Sequence, residues 1–393
     1  MRWLLASGVL VLAIIGPACT TDVLAKTIGP PVALKKRLPT QALPTPPKFE
    51  LLDVFEIPGT EVFGDSRVGG LSGLVWDASQ KMFWAVSDDR GRVNEPRVYG
   101  LSLNIRPAGK DQKLPKLEWK LLKKVLLKDP KADPKKKKAV WDFEGIALLP
   151  WGNWLIVSEG DMNQKPRVNS RVVEFKLSGD WVRDYDVPAD YLAPLTGQQK
   201  IGPRNNFSFE GLSGSSVGDQ WVVASELGLV QDKSEITRFL EYKQTEAWVL
   251  KPAREWIYSL APVVEAKAPV AKVDTGTKLV NGVSEILHAQ GNDWWVLERA
   301  AAVSVSGLSF QAELFQVTLA SSEELTKELV LRLPTTDSRL MRNFEALAWG
   351  PDLPDGRKLL VILSDNNLEK GEPTVFASFA VTLALKDVSQ EGE

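Results

Sequence analysis

One cysteine, Cys19, and one histidine, His288, are all that the chain of 393 residues supplies of either type. A lone thiol cannot form an intramolecular disulfide, so the fold must rest on packing. One thiol and one imidazole also fall short of a zinc site with ordinary nitrogen and sulfur ligands. Charge of one sign is missing as well: Lys+Arg 48 against Asp+Glu 50 leaves a net charge of -2. No global field therefore draws the protein to nucleic acid or to an acidic membrane. No long stretch carries a helical period, which argues against α/β architectures. What the sequence does hold is 44% hydrophobic residues and an unusual 14 tryptophans, ample material for a large core.

The longest apolar run, Trp3 to Ile15, is too short to span a bilayer. With Arg2 before it and small residues after it, it reads as a secretory signal, placed at residues 1–25 with cleavage after Ala25 (an alternative cut follows Ala18). A second reading attaches lipid at Cys19, although Gly16-Pro17-Ala18 departs from the usual lipoprotein pattern. The expectation is an exported domain, periplasmic or extracellular, with no transmembrane span in the mature chain. Residues 26–48, "KTIGPPVALKKRLPTQALPTPPK", form a Pro-rich leader without periodicity, and 385–393 a polar tail. The basic run Lys128–Lys138 has no aromatic residues interleaved and reads as a solvated loop.

Between leader and tail, over 49–384, one pattern occurs five times at intervals of roughly 60 to 75 residues. It runs acid (or Ser72), short apolar strand, polar turn, strong apolar strand, acid. The five copies are "GLSGLVWDASQKMFWAVSDDRG", "FEGIALLPWGNWLIVSEGD", "FEGLSGSSVGDQWVVASELG", "VSEILHAQGNDWWVLERA" and "FEALAWGPDLPDGRKLLVILSDNN". The leading positions are Ser72, Glu144, Glu210, Glu285 and Glu345; the trailing ones are Asp88, Glu159, Glu226, Glu298 and Asp365. In a hairpin the start of one strand and the end of the next share an edge, so each pair of acids meets away from its turn.

A third candidate strand follows each hairpin, beginning at Arg97, Arg171, Thr245, Ala312 and Thr374, and a fourth, more polar one follows in all but the last copy. The unpaired strand "FELLDVFEIP", Phe49 to Pro58, is then free to complete the final unit. Four-stranded antiparallel units repeated radially make a β-propeller. The sequence thus predicts an all-β, five-bladed propeller closed by an N-terminal outer strand, with a sixth blade within Lys251 to Val280 left open. Trp84, Trp154, Trp221, Trp294 and Trp295 would fill the wedges between blades. The ten motif positions would face one mouth of the channel.

The ordered motifs "RVGGLSGLVWD", "FWAVSDDRG", "DFEGIALLP", "LIVSEGD", "RNNFSFEGLS", "WWVLERA" and "NFEALAWGPDLPDGRKLLVILSDNN" resemble those of the exported phytase-like proteins, described by an esterase-like phytase domain. The resemblance runs from about Phe49 to Leu383 and implies a β-propeller that hydrolyses phosphate esters with calcium. This chain departs from the pattern at Ser284-Glu285-Ile286, without a Gly after the acid, and at Ala346.

His288 stands three residues after Glu285, on the opposite face of its strand, and reads as packed between blades rather than as a phosphatase nucleophile. Ser72 and Ser213 both lie in Gly-Leu-Ser-Gly, without the Gly-x-Ser-x-Gly spacing of a nucleophile elbow. Carboxylates remain, and they suit a hard cation bound by oxygen. The functional reading takes Asp88, Glu144, Glu210 and Asp365 as catalytic, and Asp88, Asp89, Glu144, Glu159, Glu210, Glu345 and Asp365 as calcium ligands. Arg90, Arg204, Asn205, Asn206, Arg299 and Asn366 would hold a small anionic, phosphorylated ligand. The competing structural reading has each acid satisfied by backbone N–H groups and a flanking arginine. A non-catalytic periplasmic or surface binding protein is the functional alternative.

Overall fold

In the computed structural model, residues 46–107, 114–130, 141–246, 248–262, 278–304, 307–319 and 322–383 are described. The signal, Cys19, nearly all of the leader, the tail and most of the basic run lie outside them.

Alternating apolar residues and turn signals fold into five blade sheets, antiparallel except where the short strand Glu324–Leu325 joins the edge of the third in parallel, with a small hairpin beside them. The inner strands are Leu71–Asp77, Phe143–Leu148, Phe209–Gly214, Lys278–Gln290 and Phe344–Trp349. Each lies beside the inner strand of the next blade, and the fifth returns to the first, so the ring is closed. The chain is a five-bladed β-propeller. The outer strand of the fifth blade is Lys48–Ile57, antiparallel to Thr374–Thr382 with Lys48 opposite Thr382 and Ile57 opposite Thr374. The closure expected from the unpaired N-terminal strand is present, and it leaves the last blade without a bare edge.

The segment considered for a sixth blade supplies ordinary strands at its two described ends: Val249–Ser259 is the outer strand of blade three, and Lys278–Gln290 opens blade four. One strand assignment needs correction. The third strand of blade three is Ile236–Glu246, not a segment starting at Thr245, which lies instead near the hairpin tip. Its polar residues Lys243, Gln244, Thr245 and Glu246 occupy an exposed end, which masked the buried run before them.

Hydrophobic clusters fill the five blade-to-blade wedges. Trp84 meets Trp154 edge-on between blades one and two, with ring centroids 5.0 Å apart. Trp295 meets Trp349 at 5.0 Å between blades four and five. All five tryptophans assigned to the wedges are buried. Among the described residues no helix is long and apolar enough to cross a membrane.

Candidate functional site

Each inner strand carries a β-bulge, next to its first residue in four blades and inside the longer strand of blade four: register shifts fall between Leu71 and Gly73, Phe143 and Ile146, Phe209 and Gly211, Val283 and Glu285, and Phe344 and Ala346. A bulge leaves a residue unpaired and re-aims its side chain. The residues so placed are Ser72, Glu144 (with Gly145), Glu210, Ser284 and Glu345. The trailing residue is fixed from the other side. The backbone N–H groups of Asp88, Glu159, Glu226 and Asp365 donate to the carbonyls of Gly70, Asp142, Ser208 and Asn343 at 2.7–2.8 Å.

Blade four breaks the pattern, and the expected acids there are displaced by one residue. Val283 pairs with Glu298 and Gly282 with Arg299. Ser284 therefore holds the leading position and Arg299, a cation, holds the trailing one. Glu285 takes the place that glycine has in the first three blades. Its carboxylate lies in the channel below the mouth and accepts from Leu212 N at 2.7 Å and Ile286 N at 2.9 Å; the Leu347 N–H also bonds it. Glu298 instead turns toward blade three, accepting from Tyr258 Oη at 2.5 Å and Asn281 Nδ2 at 2.6 Å. The signal was in the sequence: an acid without its following Gly was an acid one place late.

The mouth is a cavity of about 310 Å³ lined by Asp88, Glu144, Glu210, Glu226 and Glu345, by Arg90, Arg92 and Arg299, and by Asn206, Asn343 and Asn367. Asp142, Glu159 and Asp365 are buried just behind this surface. Val280, Ala301 and Phe310 form an apolar side wall. It exists because the blade-four strands Lys278–Gln290 and Asp293–Ser304 extend past the mouth. Three lining residues outside glycine have left-handed backbones, Arg90 (φ 51), Asn206 (φ 61) and Asn367 (φ 50). Such conformations are costly and cluster where function fixes a side chain.

Eight carboxyl groups are thus gathered around two cationic anchors, Arg299 largely enclosed and Arg90 partly exposed. Arg90 Nε donates to Asp142 Oδ1 at 2.5 Å and its terminal nitrogen to Asn206 Oδ1 at 2.8 Å. Arg299 bonds Asn343 and Glu345 at 2.5 Å and Glu226 at 2.6 Å. The positive charge does not balance the negative. Burial first, then the neighbouring carboxylates Asp142 and Asp365, push the Asp88 carboxyl well above its ordinary range. Burial and then Glu210, Asp88 and Asp142 do the same to Glu144. Burial, followed by Glu226 and Glu159, raises Glu210.

Two sets of carboxylate oxygens lie within 4.8 Å of one another, one from Asp88, Asp142 and Glu144, the other from Glu144, Glu159 and Glu210. Glu144 belongs to both. Asp142 Oδ2 is buried and receives no hydrogen bond from any fixed donor. The carboxyls of Glu159 and Asp88 are close enough to bond Asp142, but only through a shared proton. A proton or a metal cation is therefore required between these acids. These buried acidic clusters could hold a metal ion.

Asp142 was missed by sequence reasoning, although it precedes the Phe-Glu motif where the other blades have Gly70, Ser208, Gly282 and Asn343. Of the predicted residues, Asp88, Arg90, Glu144, Asn206, Glu210, Arg299 and Glu345 meet at the cavity. Glu159 and Asp365 lie buried behind it, and the other four are placed elsewhere. Asp89 accepts from Val93 N, Asn94 N and buried Arg97, bracing the loop beneath the mouth. Arg204 donates to the carbonyls of Gly228, Leu229 and Asp232. Asn205 accepts from Met162 N, and Asn366 from Gly70 N and Leu368 N. All four are engaged by partners in the surrounding loops.

His288 sits at the far end of its strand. It is buried edge-on against Trp294, with Nε2 2.8 Å from Gly291 O and Nδ1 accepting from Ser216 N. No imidazole among the described residues reaches the mouth.

The family described as "Phytase-like: Esterase-like activity of phytase" matches residues 66–368. Among curated proteins, none matches. Several solved structures are similar at low identity. An α-L-arabinanase of Cellvibrio cellulosa, solved with arabinohexaose, has 11% identity and a TM-score of 0.41, over 78% of this chain and 90% of that one. A luciferin-regenerating enzyme has 11% identity and a TM-score of 0.39, over 85% and 99%. The periplasmic gluconolactonase PpgL of Pseudomonas aeruginosa has 12% identity and a TM-score of 0.33, over 82% and 89%.

Proposed function

The chain belongs to the phytase-like family, and from that premise we propose that its channel mouth is a calcium-assisted phosphoesterase site acting on a small phosphate ester. The observation that carries the reading is the Asp88, Asp142 and Glu144 cluster, with a buried carboxylate oxygen that lacks any fixed donor beside an arginine. Its donors are all hard oxygens, which suits calcium over zinc. When bound, such a cation polarises a phosphoryl oxygen and acidifies a water molecule.

The chain's own residues would divide the remaining work. Asp88, Asp142 and Glu144 hold the cation; Glu159 and Glu210 form the second set around Glu144. Arg90 and Asn206, joined on the lip, face the anionic end of the ester. Arg299, tied to Glu226 and Glu345, fixes the opposite wall and keeps part of the negative charge neutralised. Asp365 lies behind Asp88 and, through their mutual repulsion, helps set its protonation. Val280, Ala301 and Phe310 offer an apolar surface to the alcohol portion. The reading includes an exported protein, which would meet calcium outside the cytoplasm.

Release of phosphate from an aryl phosphate, measured with calcium and with a chelator, tests this. Turnover that the chelator abolishes, and that Glu144→Gln reduces by about a hundredfold or more, supports it. The alternative is a non-catalytic protein that binds its ligand at the same mouth. Phosphate-ester binding without release under any condition would establish that alternative and remove the esterase.

A further inference from the structure

Of the three arginines at the mouth, Arg92 is 47% exposed and pairs with Asp88 at 3.2 Å, and the other two differ in how tightly they are held. Arg299 has a side chain only 14% exposed and is bonded by Asn343, Glu345 and Glu226 together. Arg90 is 33% exposed, and its one short ionic contact is with Asp142, whose side chain is 3% exposed. Glu159 and Asp88 stand farther from it, at 3.6 Å. Asp142 is the immobile partner and Arg90 the movable one.

We infer that cation and anion binding at the mouth are coupled through Arg90: a divalent cation on Asp88, Asp142 and Glu144 releases the guanidinium to hold the anion. The inference rests on the reading of the mouth as a cation-dependent phosphate site. Asp142 gives Oδ1 to Arg90 and leaves Oδ2 without a fixed donor. A cation accepted by that carboxylate competes for the charge that now holds Arg90, and it repels the guanidinium. Arg299 is enclosed and stays. Arg90 has an open side toward the cavity, where Asn206 already receives its terminal nitrogen. Without a cation the arginine is occupied by an acid, and the mouth repels anions. With one, the same arginine presents its donors to phosphate in a planar fork.

Coupling through direct contact between metal and phosphate would give the same calcium dependence, so the decisive comparison uses no metal. Inorganic phosphate is titrated calorimetrically into the full chain in chelator. Asp142→Asn, which removes the charge holding Arg90, is expected to bind phosphate about tenfold more tightly than the wild type. Arg90→Gln/Asp142→Asn is expected to return to the wild-type value. In calcium, Arg90→Gln is expected to lose most of the wild-type gain in phosphate affinity. If Asp142→Asn does not fold, as judged by its melting curve, this last comparison decides alone. Equal phosphate affinity of Asp142→Asn and wild type in chelator, or a full calcium effect in folded Arg90→Gln, would overturn the coupling. Absence of any calcium binding to the wild type would instead overturn the parent reading, and the chelator comparison would still test the Asp142 restraint on Arg90.

Discussion

Asp142 and Glu285 are both buried carboxylates, yet their surroundings set them to different tasks. Glu285 is met by the N–H groups of Leu212, Ile286 and Leu347, which belong to blades three, four and five. It pins three inner strands from within the channel. Glu285→Ala should cost about 2–4 kcal/mol in urea unfolding, since it strands several buried donors, and should leave calcium affinity unchanged. Asp142 has an oxygen with no such donor. Asp142→Asn should weaken calcium binding by tenfold or more at little cost in stability, because the variant removes a repelling charge. Sequence alone set Glu285 among the mouth positions and passed over Asp142. The distinction between them depends on which backbone donors the neighbouring blade presents.

At the scale of the strand, the blade pattern and its tryptophans were legible because alternation and turn residues are local. The mouth was legible in outline only. A bulge moves one side chain by one position, and a motif comparison cannot see a bulge. Blade four shows the consequence: "SEI" aligned by its acid gives Glu285 at the mouth, whereas pairing gives Ser284 and, opposite, Arg299. In the first three blades the glycine after the bulge is a packing requirement. A Cβ on Gly73 would lie 2.2 Å from the Glu144 carbonyl oxygen, and Gly73→Ala would have to push the first two inner strands apart. A loss of about 2–4 kcal/mol is expected by chemical denaturation, together with weaker calcium binding, since Glu144 is on the displaced strand. Asp89, Arg204, Asn205 and Asn366 stand beside the motifs yet do not line the cavity. Polar residues near a motif serve either the ligand or the loop, and only their partners decide which.

The whole molecule concentrates like charges inside a closed ring, and this should appear in its pH dependence. The Asp88, Glu144, Glu159, Glu210 and Asp365 carboxyls are all raised well above their ordinary values by burial. The native state therefore binds more protons than the unfolded chain above about pH 4, where free carboxyls ionise. Stability must then fall as pH rises from that point through the raised values. Without metal, the melting temperature is expected to be lower at pH 8 than at pH 5. Saturating calcium should restore most of the difference, adding about 2.7 kcal/mol at a hundred times its dissociation constant. The ring itself depends on its N-terminal strand. Deleting residues 48–57 exposes the edge Thr374–Thr382 and should give aggregated protein on size exclusion.

The most direct test is a calorimetric titration of calcium into the wild type and Glu144→Gln at neutral pH, in two buffers of different ionisation enthalpy. A cation that replaces protons among Asp88, Asp142 and Glu144 must release them, so the wild type should bind calcium with heats that depend on the buffer. Glu144→Gln, which removes the carboxylate common to both clusters, should bind at least tenfold more weakly. No binding to the wild type, binding without proton release, or undiminished binding to Glu144→Gln would contradict the claim that this mouth is built to hold a cation.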